Sequence, residues 1–200
     1  MVGSCASSTH WHLAWRSRCM GSSGRWDKWQ RLLHQSKGVQ YSRHALMCGS
    51  GGVEPSCPPM LGAFHEVLAG DLGFWSQFSD SDLVAWSVER PGTASVHATW
   101  YRSGDFGSPH NDLETGQRAL AFVLYLTKDW NASFGGSFFH LQASPEEYEP
   151  GFNVLHLFRP SVWLPHMIST VLHEGDDRRR LAVSGWFHAA NRTMQIPFDA

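Results

Sequence analysis

Two histidines and one aspartate have the residue types and the spacing that could hold a metal ion. His110 and Asp112 form a His-x-Asp pair just after a glycine-rich turn, and His166 follows further along the chain. Two imidazole nitrogens and one carboxylate oxygen on one face of a metal suit Fe(II) and leave its other positions open. A structural zinc site is disfavoured because this part of the sequence contains no cysteine. The sequence therefore predicts a catalytic metal site at His110, Asp112 and His166.

An arginine later in the sequence could bind the carboxylate of a second ligand. A strand over Arg180–His188 would place Arg180 on the same face as Trp186, because side chains alternate along a strand with a period of two. A guanidinium on such a face fits a pocket floor, where it can grip a carboxylate with two parallel hydrogen bonds. Tyr125, on a predicted strand over Ala119–Thr127, could donate a further hydrogen bond to that carboxylate.

The elements that must position these side chains are mostly short strands. Seven segments are rich in β-branched and aromatic residues and are bounded by Gly, Pro, Asp or Asn. They are Leu83–Glu89, Ser95–Tyr101, Ala119–Thr127, Ser137–Leu141, Phe152–Phe158, Ile168–Leu172 and Arg180–His188. A helix is predicted from Met60 to Leu68, where apolar residues share one face, and Gly70 is its expected stop. This pattern indicates an antiparallel β fold and leaves a lipocalin-like barrel, an immunoglobulin-like sandwich and a jelly roll open.

The predicted domain boundary lies near residue 58, after a stretch rich in Gly and Pro. Residues 1–53 carry a net charge of +6, whereas residues 54–200 carry −8. We therefore expect residues 1–58 to be a leader or a poorly ordered N-terminal segment, with a short helix through Trp26, Trp29 and Leu33. Residues 59–200 are expected to form the functional domain.

Cysteine usage bears on the compartment. The four cysteines all precede residue 58 and contain no C-x-x-C pair, which disfavours a metal site among them. The cysteine-free remainder favours a reducing compartment, so the cytoplasm is the predicted location. The N-terminus also contains Ser and Arg with few acids, which is the composition of an organellar transit peptide. An organelle is therefore the alternative location.

Composition excludes several classes of protein. A net charge of −2 argues against a strongly basic protein that binds nucleic acid. No run of 18 uninterrupted apolar residues occurs, so no membrane-spanning helix is predicted. Hydrophobic residues make up 42% and charged residues 17% of the chain, which excludes a wholly disordered protein.

From Val96 to His188 the sequence resembles the 2-oxoglutarate- and Fe(II)-dependent dioxygenases of the prolyl 4-hydroxylase type. The matching segments are WYRSGDF at 100–106, HND at 110–112, YLTKDW at 125–130, GG at 135–136, the segment from Phe152 to Phe158, PH at 165–166 and RLAVSGWF at 180–187. The resemblance implies a mainly β fold, the double-stranded β-helix or jelly roll, with N-terminal helical support. It also implies hydroxylation of a peptidyl residue, proline first, with release of succinate and carbon dioxide.

The same resemblance implies roles for individual residues. Iron would be bound by His110, Asp112 and His166. Arg180 would hold the distal carboxylate of 2-oxoglutarate with help from Tyr125. Two further residues, Tyr101 and Trp186, would line that pocket. Relatives also use ascorbate to keep the iron reduced, and a protein or peptide is the expected partner.

Other readings of the sequence remain open at this point. A cupin-type metal enzyme and a catalytically inactive jelly-roll binding module are the alternatives to an active oxygenase. Arg178 or Arg179 could replace Arg180 as the carboxylate ligand, although the alternation of the following strand favours Arg180. Five other histidines are expected to be ordinary strand or surface residues rather than ligands: His97, His140, His156, His173 and His188.

Overall fold

The computed structural model describes residues 29–36, 39–48, 59–70, 94–113, 118–174 and 178–188. These residues contain ten strands and one α-helix, α1 (Pro59–Gly70). The strands are β1 (Gln30–Ser36), β2 (Val39–Cys48), β3 (Ala94–Tyr101), β4 (Phe106–His110), β5 (Arg118–Tyr125), β6 (Phe138–His140), β7 (Glu146–Tyr148), β8 (Leu155–Phe158), β9 (His166–Ile168) and β10 (Arg180–His188). A short 3-10 helix spans Ala132–Phe134. No helix in these ranges is long and apolar enough to cross a membrane.

All ten strands belong to one antiparallel sheet. Its order is β7-β6-β9-β4-β2-β3-β10-β5-β8, and β1 pairs with β2 beside this path. The sheet curls because β2 changes partner along its length: Tyr41 and Ser42 pair with β4, whereas His44–Cys48 pair with β3. This curled antiparallel sheet confirms the predicted mainly β fold of the jelly-roll type.

The two faces of the curled sheet bury different side chains. On β10 the residues Val183 and Phe187 belong to an apolar cluster on the outer face, together with Leu120 and Phe122 of β5. The alternate residues of β10, beginning with Arg180, face the inside of the curl. Period-two alternation thus separates an apolar outer core from an inner face on which polar side chains adjoin a second apolar cluster, and Arg180 lies on that inner face.

The helix α1 covers the outer apolar cluster. It begins at Pro59, where a missing backbone N–H costs nothing in the first helical turn. Leu61 is buried in the outer cluster, and the Phe64 ring lies 6.3 Å from the Phe122 ring. The predicted helix from Met60 to Leu68 is therefore confirmed, and it provides the helical support that the fold needs behind β3 and β5.

The sheet extends N-terminal to the boundary predicted near residue 58. Residues 30–36 and 39–48 form β1 and β2, and β2 lies between β3 and β4 rather than at an edge. The helix expected through Leu33 is wrong at that residue, because Leu33 lies in β1 opposite Ser42. Backbone hydrogen bonds to β3 and β4 hold β2 in the sheet, although its composition resembles that of a leader. Trp26 and residues 1–28 lie outside the described residues.

Strand positions differ from the sequence expectation in several places. The strand expected at Ile168–Leu172 lies earlier, at His166–Ile168, and the one expected from Phe152 begins at Leu155. Neither β4 nor β7 was expected, because a segment such as Phe106–His110 contains Gly, Ser and Pro. The strand predicted at Leu83–Glu89 falls outside the part of the chain that the structure describes.

A buried aspartate joins the N-terminal hairpin to the turn before β4. The Asp105 carboxylate accepts hydrogen bonds from the Ser42 hydroxyl on β2 and from the Arg102 backbone N–H. Arg31 of β1 lies 3.3 Å from the same carboxylate. Because Asp105 is fully buried, these partners supply what water would otherwise supply. Asp105 thus fixes β1 and β2 against the turn that leads to His110.

Candidate active site

The predicted metal ligands meet at one end of the curled sheet. His110 ends β4 and pairs across the ladder with His166, the first residue of β9. Cross-strand neighbours on one face lie close enough for their side chains to converge. Asp112 follows His110 in a left-handed conformation with φ of 62°, which turns its carboxylate back between the two rings. His110 Nε2 lies 3.6 Å from Asp112 Oδ1, and His166 Nε2 lies 3.3 Å from Asp112 Oδ2.

These three side chains form a group that could hold a metal ion. One ligand atom from each residue lies within 4.8 Å of the others, and among the described residues this is the group of His, Cys, Asp and Glu with that property. Nitrogen, nitrogen and carboxylate oxygen are donors that suit non-heme Fe(II). The chemistry of the donor set therefore fits the metal that the sequence suggested.

Neighbouring groups hold the Asp112 carboxylate in place. Trp186 donates its indole N–H to Oδ2 at 2.8 Å, and Arg118 Nη1 donates to Oδ1 at 3.1 Å. The Arg118 guanidinium also lies 3.6 Å above the Trp186 ring. Burial alone would raise the pKa of the Asp112 carboxyl, but the hydrogen bond and charge of His166 and the charge of His110 hold that pKa well below its usual range.

Each histidine is oriented by its surroundings. His110 Nδ1 lies 2.8 Å from the Ser108 carbonyl oxygen, so its N–H can donate a hydrogen bond there and leave Nε2 free to face Asp112. Burial lowers the pKa of His110, which favours the neutral imidazole that binds metals. The His166 ring stacks on Phe138 at 5.1 Å and contacts Phe158 edge to face at 4.8 Å. These two aromatic rings keep the back of the site apolar.

The candidate carboxylate ligand Arg180 lies in the same cavity, which measures about 560 Å³. Arg180 is 1% exposed, and its Nε–H donates to the Gly136 carbonyl oxygen. Its Nη2 and the Tyr125 hydroxyl are buried, and neither has a hydrogen-bond partner among the described residues. Its Cζ lies 5.0 Å from the Tyr101 ring centre and 5.1 Å from the Tyr125 ring centre. Burial raises the pKa of Tyr125, so its phenol remains a hydrogen-bond donor.

Unsatisfied donors deep in a cavity fit a carboxylate ligand. A buried donor without an acceptor costs about 1–3 kcal/mol, and here two such donors converge on one space. A distal carboxylate of 2-oxoglutarate would accept from both. Gly136 permits this arrangement: at φ of 72° a Cβ there would lie 2.8 Å from Arg180 Cδ. The donor arrangement therefore fits 2-oxoglutarate as well as the metal.

All seven site residues predicted from the sequence lie in or against this one region. The cavity is lined by His110, Asp112, His166, Arg180, Tyr101 and Trp186, and Tyr125 contacts Arg180 from the adjacent strand. Arg179, the alternative carboxylate ligand, instead stacks over Trp100 at 4.0 Å. Arg178 is exposed and donates to the Asp129 carbonyl oxygen.

Three charged or titratable residues of the cavity wall were missed by sequence reasoning. Arg43 on β2, Arg118 at the start of β5 and His97 on β3 also line the cavity. Arg118 follows Asp112 by only six residues, a signal that could have drawn attention to it. Arg43 shares a face of β2 with Tyr41, but composition predicts a leader for this segment. His97 was expected to be an ordinary strand histidine; it bonds Ser184 Oγ at 3.0 Å, and burial lowers its pKa to about 3.

The remaining histidines do not join the metal cluster. His156 stacks on Tyr148 at 4.3 Å, and its ring centre is 5.2 Å from that of His140. Burial lowers the pKa of His156 to about 4, so it is neutral at pH 7. His173 packs against Phe134 at 4.5 Å. These positions agree with the expectation that they are ordinary strand or surface residues.

Comparisons with known proteins point in the same direction. A family profile described as the 2OG-Fe(II) oxygenase superfamily matches residues 96–188. The prolyl 3-hydroxylase OGFOD1 of Xenopus laevis is 34% identical over 138 residues, which is 64% of this chain and 25% of that protein. The mouse protein of the same name is 30% identical over 144 residues, 68% of this chain and 25% of its own length. The chain thus spans about a quarter of the length of the curated relatives it matches.

A solved structure shows the same fold. A Pseudomonas putida prolyl-4-hydroxylase matches with a TM-score of 0.60 over 92% of this chain and 89% of its own chain, at 18% identity. At that identity the likeness concerns the fold. The alternative of a cupin-type enzyme is not supported, because the matched profile covers the strands that carry the cluster. Residues 96–188 therefore match the 2-oxoglutarate- and Fe(II)-dependent oxygenase superfamily, and these residues include the three clustered ligands.

Proposed function

We propose that this chain is an Fe(II)- and 2-oxoglutarate-dependent dioxygenase that hydroxylates a peptidyl residue, with proline as the first candidate. One observation carries the proposal: unsatisfied buried donors of Arg180 and Tyr125 share a cavity with the His110, Asp112 and His166 cluster. A metal cluster alone would suit several enzyme classes, but a carboxylate-binding pocket beside it suits a chelating oxoacid. The names of the relatives, which are prolyl hydroxylases, support proline as the target.

In this proposal, His110, Asp112 and His166 hold the iron, and Arg180 with Tyr125 binds the distal carboxylate of 2-oxoglutarate. Iron bound there would supply the oxidation by dioxygen and 2-oxoglutarate that puts one oxygen atom into a substrate C–H bond, with succinate and carbon dioxide as the other products. The protein orients these reactants and excludes water from them. Ascorbate as a reductant remains an expectation from the family.

The chain's own residues have separate tasks around the metal. Trp186 and Arg118 fix the Asp112 carboxylate, so that its oxygen stays directed at the two imidazoles. The Ser108 carbonyl sets the tautomer of His110 through its Nδ1–H. Phe138 and Phe158 shield His166 from water. A preorganised and partly dry site favours the oxidation of a bound substrate over side reactions.

The proposed partner is a protein or peptide, and the proposed location is the cytoplasm. The peptide partner follows from the names of the relatives, OGFOD1 and a bacterial prolyl-4-hydroxylase. The location rests on the cysteine-free sequence after residue 57, which favours a reducing compartment.

The direct test is succinate formation by the purified, iron-loaded protein with 2-oxoglutarate and dioxygen. Enzymes of this class release some succinate without their substrate, so no peptide is needed at first. We expect oxygen-dependent succinate that disappears in His110→Ala. The matched control is His173→Ala, which removes a histidine outside the metal cluster. Absence of both succinate and 2-oxoglutarate binding would refute the proposal and favour the inactive binding module.

A further inference from the structure

A third arginine enters the cavity from the wall that β2 provides. Arg43 lines the cavity beside Tyr41, and its Cζ lies 4.7 Å from the Tyr41 ring centre. Its Nε is buried and has no hydrogen-bond partner among the described residues. None of the ion pairs within the described ranges involves Arg43; their acids are Asp105 and Asp112. Arg43 is thus a cation with a free donor that faces the reaction space.

The cavity keeps a net positive charge when the proposed ligands are bound. Among the described lining residues there are three guanidiniums and one carboxylate. Arg118 pairs with Asp112 at 3.1 Å, and Arg180 is committed to the oxoacid in the proposed function. Because the two positive charges of Fe(II) and the two negative charges of 2-oxoglutarate cancel, the described lining groups keep a net charge of +2, to which Arg43 contributes one. Of the three guanidiniums, Arg43 is the one to which neither a described ion pair nor the proposed oxoacid assigns a carboxylate.

Arg43 keeps its charge in this environment. Burial disfavours the charged form, but the Tyr101 and Tyr41 phenols and the Asp112 carboxylate outweigh burial and raise the pKa of Arg43. A partly buried cation without a paired carboxylate is costly, and an anion that enters the cavity relieves that cost. A peptide carbonyl could accept a hydrogen bond but would bring no charge. A carboxylate would bring a hydrogen-bond acceptor and a negative charge, in the bidentate geometry that a guanidinium favours.

Resting on the proposed function, we propose that the substrate is an acidic peptide and that Arg43 binds one of its carboxylates beside the residue that is hydroxylated. Arg43 is then a specificity-determining residue on a wall separate from the oxoacid site on β10. Tyr41 supports it by packing against the guanidinium face.

The test compares two sets of short peptides, each with one central proline. In the first set glutamate occupies each flanking position in turn, and in the second set glutamine replaces it. Hydroxylation is read as succinate formed above the uncoupled rate and as gain of one oxygen atom in the peptide by mass spectrometry. The proteins are wild type, Arg43→Gln, Arg43→Lys and the control Arg178→Gln, whose arginine is exposed and does not line the cavity.

Wild type is expected to favour the best glutamate peptide over its glutamine twin by about tenfold to a hundredfold in kcat/KM, the range that a charge-assisted hydrogen bond supplies. Arg43→Gln should reduce this ratio to about one. Arg43→Lys should keep part of the ratio, because the charge remains but the fork geometry is lost. Arg178→Gln should match wild type.

Equal rates for the two peptide sets in wild type would overturn the proposal, whether or not Arg43→Gln folds. A glutamate preference that survives in folded Arg43→Gln would overturn it as well. Succinate formation that neither peptide set raises above the uncoupled rate would reject an acidic proline peptide while leaving the oxygenase proposal intact. Absence of any succinate would instead refute the proposed function on which this inference rests.

Discussion

Replacing Arg180 by glutamine tests whether this side chain binds the distal carboxylate of 2-oxoglutarate. Arg180 is 1% exposed, so its guanidinium acts inside the protein rather than in bulk water. Glutamine is shorter and neutral, but its amide can still donate one hydrogen bond. The change therefore removes the charge and one parallel hydrogen bond while it adds no charge to the core.

The expected loss of 2-oxoglutarate affinity follows from the hydrogen bonds that Arg180→Gln removes. Hydrogen bonds to charged groups contribute about 1.5–3 kcal/mol each, and a neutral one about 1 kcal/mol. Replacing two charge-assisted bonds by one neutral bond should cost about 2–5 kcal/mol of 2-oxoglutarate binding. That loss corresponds to an increase of about thirtyfold or more in the KM for 2-oxoglutarate. Fe(II) affinity should change little, because Arg180 is not among the three clustered ligands.

Two titrations separate these effects. Succinate formation is measured against 2-oxoglutarate concentration, and Fe(II) binding is measured anaerobically by the quenching of tryptophan fluorescence. Arg180→Lys serves as the partner variant, since it keeps the charge and should recover part of the affinity. An unchanged KM for 2-oxoglutarate in folded Arg180→Gln would refute the reasoning. An equal loss of Fe(II) affinity would show that Arg180 acts on the metal site instead.

Three further predictions concern the supports of the site. Trp186→Phe removes the hydrogen bond to Asp112 Oδ2 and should weaken Fe(II) binding by about tenfold in an anaerobic titration. Asp105→Asn should lower the free energy of unfolding in urea by about 2–3 kcal/mol, because Ser42 and the Arg102 N–H lose a charged acceptor. The pKa of His97 is about 3 in the folded protein against 6.5 in the unfolded chain. Its contribution to the free energy of unfolding is therefore complete above pH 6.5 and is lost as the pH falls below 6.5. In metal-free protein, His97→Gln should reduce the pH slope of unfolding between pH 6 and 4 by about one proton, ~1.4 kcal/mol per pH unit; an unchanged slope would show that His97 does not contribute.

The regular alternation of strand residues made part of the site predictable from the sequence. On β10 the alternation that places Arg180 and Trp186 on one face depends only on extended backbone, and the sequence carries that pattern without interruption. Long-range strand pairing then decides which of these side chains meet, which the local pattern cannot show. His110 and His166 meet because β4 and β9 are neighbours, yet β4 contains Gly, Ser and Pro and resembles a turn. Partner strands supply hydrogen bonds that override such a weak local preference.

The cavity wall formed by β2 could not be predicted from the sequence. Composition and net charge describe β1 and β2 as a leader, because both measures ignore the order of residues. Tyr41 and Arg43 alternate with Ser42, so two side chains enter the cavity while the third reaches Asp105. Such an alternation has meaning only when partners exist on both faces. Those partners, Asp105 on one face and the cavity residues on the other, follow much later in the sequence, and local reasoning cannot supply them.

The position of β10 in the sheet affects when the chain can fold during synthesis. β10 is the last strand of the described chain in sequence order, yet it pairs with β3 on one side and β5 on the other. While a ribosome is still making the chain, β3 and β5 therefore present unpaired edges toward the gap that β10 will fill, and such edges promote association with other chains. The sheet cannot close at its centre until the segment with Arg180 has emerged, so the proposed oxoacid pocket and the centre of the sheet form together.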